Sequence, residues 1–306
     1  MNTVESSVGF SIDQLSSELG NLEKITRSIM PRPGSIPSLD GFEIYGETLP
    51  LNGVVGGDHL IYVDFKKRYD LDARIARATT DGLPEIVANL ERCRRIAGVA
   101  LIDVSGHQAT DAMLAAMFHQ AFLLGILYEL DTSGQVTKRL LENLNQRFYN
   151  SSSVDKFITA IHGEISEDAT FRFLLAGHPP PIVFSAAYDR FMDVDPHRYT
   201  ACPPLGTLPS ECVFDRNRAT SVLGFKGHFE VNEWTLMGTG DILLLYTDGL
   251  QDHGRHGEPY FPGPMEQTVR RAKNLSAVDI VQSVLDDVRA FADPSDDVSL
   301  VVIKRL

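Results

Sequence analysis

Apolar residues at Ile12, Leu15, Leu19, Leu22, Ile25 and Ile29 recur at steps of three and four, which predicts a helix over 11–30. Ser11 suits its cap, and Pro31-Arg32-Pro33-Gly34 ends it. The stripe fits a helix packed on its own domain, or a short coiled-coil-like dimer seam. The period then changes to two. Phe42-Glu43-Ile44-Tyr45-Gly46-Glu47-Thr48-Leu49 alternates as a strand does, and a second strand is expected around 59–65. Residues 66–97 are charged and helix-prone, broken at Asp81-Gly82-Leu83-Pro84. A strand at 98–102 precedes a long helix over about 108–130 and another over about 135–149. The stretches 156–165, 170–176 and 181–185 read as a strand meander, and 187–228, rich in proline, glycine and charge, as an irregular flap. Strands near 229–236 and 241–247, helices at about 264–273 and 276–291, and a last strand at 297–304 complete the chain. There is no internal repeat. Strands, a helix pair, then strands again, without regular βαβ alternation, predict an α+β layered fold with mostly antiparallel sheets.

Composition narrows the function more than the fold. The 306 residues are 43% hydrophobic and 23% charged, which suits an ordinary globular chain. A net charge of −13 argues against broad binding to nucleic acid or anionic membrane, both of which need basic surface. No apolar run reads as a membrane span, and the polar start MNTVESSVGF reads as no signal peptide. Cys93, Cys202 and Cys212 lie far apart without a CxxC pair, so neither a disulfide framework nor a thiolate zinc site is expected, and a reducing cytoplasm is.

Four stretches carry the candidate chemistry: Gly56-Gly57-Asp58, Asp103-Val104-Ser105-Gly106-His107, Tyr246-Thr247-Asp248-Gly249 and Asp296-Asp297-Val298-Ser299. Each sets an aspartate at the end of a strand-like run. Alone, any one of them reads as a turn. Together, carboxylates at strand ends with glycines beside them suit Mg²⁺ or Mn²⁺ and point to metal-assisted hydrolysis of a phosphate ester.

With Ala176-Gly177-His178-Pro179-Pro180-Pro181 and Pro204-Leu205-Gly206 in the same order, these motifs resemble the bacterial PPM-type (protein phosphatase 2C-like) serine/threonine phosphatases of the SpoIIE/RsbU branch, over about residues 38–306. The resemblance implies a four-layer αββα sandwich: two antiparallel sheets flanked by helix pairs. An N-terminal helix and Pro-rich linker (1–35) would precede the phosphatase domain (36–306), with no sensory domain before it. The resemblance also implies two Mn²⁺ or Mg²⁺ ions. Asp58 would bridge them, Asp103 and the backbone carbonyl of Val104 would serve one, and Asp248 and Asp296 the other, with Asp297 as the alternative to Asp296. Strand alternation allows only one of that adjacent pair to be a direct ligand. A metal-activated water would attack phosphorus, so no nucleophilic side chain is needed. Ser105 sits in no GxSxG elbow and is assigned to hydrogen bonding in its turn. His107 is a candidate acid for the leaving alkoxide, or simply a residue at a helix start. His178 is expected to brace a strand connection and His59 to point away from the site. Asp252 and the acids near 293–297 are places for a third metal.

The implied substrate is a phosphoserine or phosphothreonine on a regulator of the anti-sigma-factor-antagonist type. A homodimer partner or regulator would meet the 11–30 helix; no nucleic acid or membrane partner is expected. Three features depart from the family pattern. Asp64 follows Asp58 too late to inherit a role, residues 66–97 lengthen a hairpin, and Gln108 replaces a glycine. The 66–97 insertion is expected beside the metal strand, as a substrate platform or dimer arm. A catalytically silent phosphoprotein-binding regulator on the same fold is one competing reading, and a metal-dependent phosphodiesterase another. Asp70-Leu71-Asp72 follows charged residues instead of an apolar strand, which excludes a haloacid-dehalogenase site.

Overall fold

Local signals place most elements within a few residues of expectation. The computed structural model describes residues 11–30, 35–51, 56–106, 109–149, 156–211, 221, 223–235 and 237–306. In chain order these form α1 (Ile12–Ile29), β1 (Phe42–Leu49), β2 (His59–Asp64), α2 (Phe65–Arg68), α3 (Leu71–Thr80), α4 (Pro84–Cys93), β3 (Ile96–Val104), α5 (Ala109–Ser133) and α6 (Arg139–Tyr149). Then follow β4 (Ile158–Ser166), β5 (Phe171–Ala176), β6 (Ile182–Ser185), β7 (Arg190–Phe191), β8 (Asn232–Trp234), β9 (Ile242–Tyr246), α7 (Asp248–Gln251), β10 (Gly254–Arg255), β11 (Glu258–Pro259), α8 (Gly263–Ala272), α9 (Ala277–Phe291) and β12 (Val298–Arg305). At α1, the Ser11 hydroxyl accepts from the Gln14 amide while the Gln14 side chain accepts from the Ser11 amide, a capping box that fixes the first turn.

Among the described residues ten strands build two five-stranded sheets, ordered β1-β12-β9-β6-β7 and β2-β3-β4-β5-β8, β10 and β11 form a separate two-stranded sheet, and the pairings are antiparallel. Period-two alternation decides what each face meets. Leu60 and Tyr62, Val99 and Leu101, Ile161, Phe171 and Phe173, Leu243 and Leu245, and Val301 and Ile303 share the core between the sheets. Their alternates face outward. Ile61, Val63, Ala100 and Ile102 pack under α3–α6, while Leu244 and Val302 pack under α8 and α9, with Val284 and Val288 of α9 in the same cluster. The result is the αββα sandwich, with three apolar layers in which each large side chain contributes about 1.5–3 kcal/mol on burial.

Four expectations need correction. Strand β2 stops at Asp64, whose carboxylate caps α2 by accepting from the Lys67 amide at 3.1 Å, so Phe65 is helical. The flap contains β7, which pairs Phe191 with Phe184 and adds an edge strand; residues 212–220 lie outside the described part. The insertion does not stand beside the candidate metal strand end. It leaves β2 at the end opposite Asp58, and α3 and α4 grip the C-terminal half of α5 through Arg74–Asp131 (2.8 Å) and Asn89 donating to the Ser133 carbonyl (2.9 Å). Finally, Thr110–Ser133 of α5 is long and apolar enough, by length and composition, to cross a membrane, with a mean hydropathy of 1.5. In this fold Ala115, Phe118, Phe122, Ile126 and Leu130, at steps of three and four, bury one face in the outer core of the second sheet.

Candidate active site

Antiparallel pairing puts the start of β2, the end of β3, the end of β9 and the start of β12 at the same end of the sandwich. Asp58 and Asp103 share strand parity with Leu60 and Leu101, so both lie on the side facing the other sheet. Asp58 is buried, and the Thr247 hydroxyl donates to its Oδ2 at 2.7 Å. Thr247 in turn accepts from the Ser299 amide at 3.0 Å, and the Ser299 and Thr48 hydroxyls are 2.7 Å apart. This chain of hydroxyls joins β9, β12 and β1 to the Asp58 carboxylate.

Like charges dominate the electrostatics. Burial first, then the Asp103 charge, push the Asp58 carboxyl well above the ordinary carboxylate range, against the pull of the Thr247 hydrogen bond. Asp103 is pushed up to about 7, by burial and then by Asp248, Asp296 and Asp297. Asp248, at the first turn of α7, is raised by burial, Asp296 and Asp252. Burial and like charge thus disfavour the ionised form of all three acids, and a divalent cation is the chemical species that would relieve them.

The donor set fits such an ion by its chemistry: hard carboxylate oxygens, with the Val104 carbonyl beside them. A Cβ on Gly57 would fall 2.6 Å from that carbonyl oxygen and 2.5 Å from the Gly106 oxygen, so only glycine lets the two loops meet. Among the described residues no group of three His, Cys, Asp or Glu side chains is drawn together closely enough to cage an ion alone. A magnesium-like ion, which keeps several waters and takes only one or two carboxylates, suits so open a set.

Asp296 and Asp297 part company. Asp297 is buried and spent on backbone: Oδ1 accepts from the Leu51 amide at 2.7 Å, and Oδ2 from the Gly57 amide at 2.7 Å. Its carboxylate ties the loop before Asp58 to β12. Asp296, in the bend just before the strand, is the member of the pair whose charge acts on both Asp103 and Asp248.

Other sequence candidates are placed as follows. His107 lies outside the described residues. The Ser105 Oγ accepts from the Phe157 amide at 3.2 Å, a turn contact. His178 is buried, with Nδ1 3.0 Å from the Thr159 hydroxyl and its pKa lowered by burial to about 3; it braces β4 and is no acid at neutral pH. His59 points away, its Nε2 2.7 Å from Nδ1 of His119 on α5. Two features escaped the sequence reading. Thr247 stood inside a recognised motif, but its partner is 189 positions away. Lys156 donates to the Ser105 carbonyl at 2.7 Å and pairs with the fully buried Asp111 at 2.8 Å, clamping the loop that carries Val104 and Gly106. A solitary lysine after a serine-rich stretch carries no pattern that would reveal this.

Comparisons with known proteins agree with the geometry. The family model described as Stage II sporulation protein E (SpoIIE) matches residues 95–306, more than half of the chain, beginning after Asp58. Among solved structures, the SiaA-PP2C domain of Pseudomonas aeruginosa is similar with a TM-score of 0.65 at 14% identity, over 96% of this chain and 98% of that one. The RsbU and RsbW domains of a Mycobacterium tuberculosis protein match with a TM-score of 0.60 at 19% identity, over 90% of this chain. The PP2C phosphatase domain with a fragment of the regulatory domain of SpoIIE from Bacillus subtilis matches at 0.58 and 18%, over 86% of this chain. The chain spans 64% and 62% of the lengths of these last two. No curated protein sequence matches it. At such identities the structural likeness speaks to the fold, which it extends across Asp58, while the family model speaks to ancestry. The chain belongs to the family described as Stage II sporulation protein E (SpoIIE), on a fold it shares with PP2C phosphatase domains.

Proposed function

We propose that this chain hydrolyses phosphoserine or phosphothreonine in a metal-dependent reaction, with a phosphorylated regulator of the anti-sigma-factor-antagonist type as substrate. One observation carries the reading: acids from separate elements meet at one end of the sandwich, where burial and their mutual charge raise the Asp58 and Asp103 carboxyls, a repulsion that a divalent cation would relieve. Asp58 would bridge two Mn²⁺ or Mg²⁺ ions, Asp103 and the Val104 carbonyl would hold one, and Asp248 and Asp296 the other. When bound, the ions supply a water acidic enough to attack at neutral pH and offset the phosphate charge.

The chain's own groups prepare that site. Thr247 occupies Oδ2 of Asp58 and so sets the plane of its carboxylate. Asp297 holds the Gly56-Gly57 loop against β12, and Lys156 holds the Ser105–Gly106 turn. His107 would give a proton to the leaving alkoxide. The free thiols of Cys93 and Cys202 are buried, which suits a reducing cytoplasm. The M. tuberculosis structure holds an RsbW domain beside RsbU, and the B. subtilis structure a regulatory fragment. By analogy, α1, which lies against α5, would receive a regulator or a second copy.

The test is manganese-dependent hydrolysis of a phosphoserine peptide by wild type and Asp248→Asn. Activity that requires metal and vanishes in the variant supports the proposal. A folded wild type that binds Mn²⁺ without hydrolysing any phosphopeptide overturns it, in favour of a silent phosphoprotein-binding regulator.

A further inference from the structure

The opposite end of the second sheet holds a cavity of about 310 Å³, walled by α4, the start of β3, and β4 and β5. Strand β3 separates it from Asp103 by seven residues, about 23 Å of extended chain. Glu164, Arg172, Arg92, Cys93 and Ile96 are among its lining residues. Register places Glu164 directly opposite Arg172, and Arg172 opposite Glu233, all on the outer face.

Their pairing runs against expectation. Arg172 leans to the exposed Glu233, with 3.8 Å between Nε and Oε2, beyond hydrogen-bond range. Glu164, with a side chain only 8% exposed, has His162 Nε2 at 3.5 Å. His162 Nδ1 faces the Val99 carbonyl at 3.3 Å, and a carbonyl only accepts, so Nδ1 carries the hydrogen. Thus, among the described residues, the deeply set Glu164 carboxylate and the half-buried Arg172 guanidinium meet their ion-pair partners only at 3.5 and 3.8 Å, and neither makes a close hydrogen bond. Both open on the same cavity, with Ile96 and Cys93 as apolar wall.

We propose that this cavity is a binding site for a small zwitterion of the amino-acid class. Its ammonium group donates to Glu164, and its carboxylate accepts from Arg172. The volume suits one such molecule, and the opposite signs one strand apart match the short spacing between an ammonium and its carboxylate. Because α4 belongs to the insertion, the insertion builds one wall of the site.

The test titrates the metal-loaded full chain with each L-amino acid, with cadaverine (amine only) and with succinate (acid only), reading calorimetric heat and thermal stabilisation. At least one amino acid should bind saturably, and Glu164→Gln and Arg172→Gln should each weaken it about tenfold or more. Far-ultraviolet circular dichroism establishes that both variants are folded. Absence of binding by every amino acid at millimolar concentration overturns the proposal. So does equal binding of cadaverine or succinate alone, or binding that both variants retain. Hydrolytic activity enters none of these readouts, so this proposal and the phosphatase reading fail separately.

Discussion

Replacing Asp297 by alanine and, separately, Asp296 by alanine should give opposite signatures. Asp297→Ala removes the acceptor of two backbone amides, those of Leu51 and Gly57, each held at 2.7 Å by a buried carboxylate. Hydrogen bonds to a charged group are worth about 1.5–3 kcal/mol each, and the amides stay behind without a partner, so the loss is about 3–5 kcal/mol. For a domain of this size each kcal/mol moves Tm by about 2–4 °C, so melting in EDTA should fall by roughly 10 °C. Asp296→Ala removes a charge that raises both Asp103 and Asp248, and its metal-free Tm should hold or rise. Its manganese dependence should shift to much higher concentration. The assay is thermal melting in EDTA and in excess Mn²⁺, beside peptide hydrolysis against Mn²⁺ concentration. Wild-type melting of Asp297→Ala in EDTA, with a changed metal requirement only, would refute the division of labour and make Asp297 the ligand.

Three further outcomes follow from the same contacts. In EDTA at pH 8, Asp103→Asn should be more stable than wild type. Its carboxyl titrates at about 7 folded against 3.8 unfolded, so the ionised group opposes folding above pH 7, by at most about 4 kcal/mol. As pH falls through 7 toward 4 the folded wild type takes up that proton, and the difference should close; a gap that widens on acidification contradicts the assignment. Gly57→Ala forces a Cβ to within 2.6 Å of two carbonyl oxygens and should abolish metal-dependent hydrolysis, checked by peptide assay with circular dichroism as the control. Lys156→Met leaves Asp111 buried without its cation and should cost about 3 kcal/mol in urea unfolding, whereas Lys156→Arg should recover most of it.

Much of this was legible because it is local. The six-position stripe of α1, the Ser11 cap, the break at Gly82-Leu83-Pro84 and the alternation of β1 depend on residues within one or two turns of each other. Glycines beside the candidate acids were legible too, since close loop approach admits no side chain. Misreadings arose where long-range packing decided. The two-residue strand β7 has no period of its own and exists because Phe184 and Phe191 pair at a sheet edge. The insertion looked adjacent to the site because it follows Asp58 in sequence, but a six-residue strand carries it to the far end of the sheet.

The sequence by itself determined the order of the main helices and strands, the face that each main strand turns to the core, and the set of aspartates at strand ends. Only the tertiary structure decided which of two neighbouring aspartates is committed to backbone. Strand parity alone would have favoured Asp297, which shares the inner face with Ser299, Val301 and Ile303. Its carboxylate is instead taken by amides about 240 positions earlier. Periodicity reports which way a side chain points; what it meets depends on the chain that folds back against it, and that is set by sheet order and register.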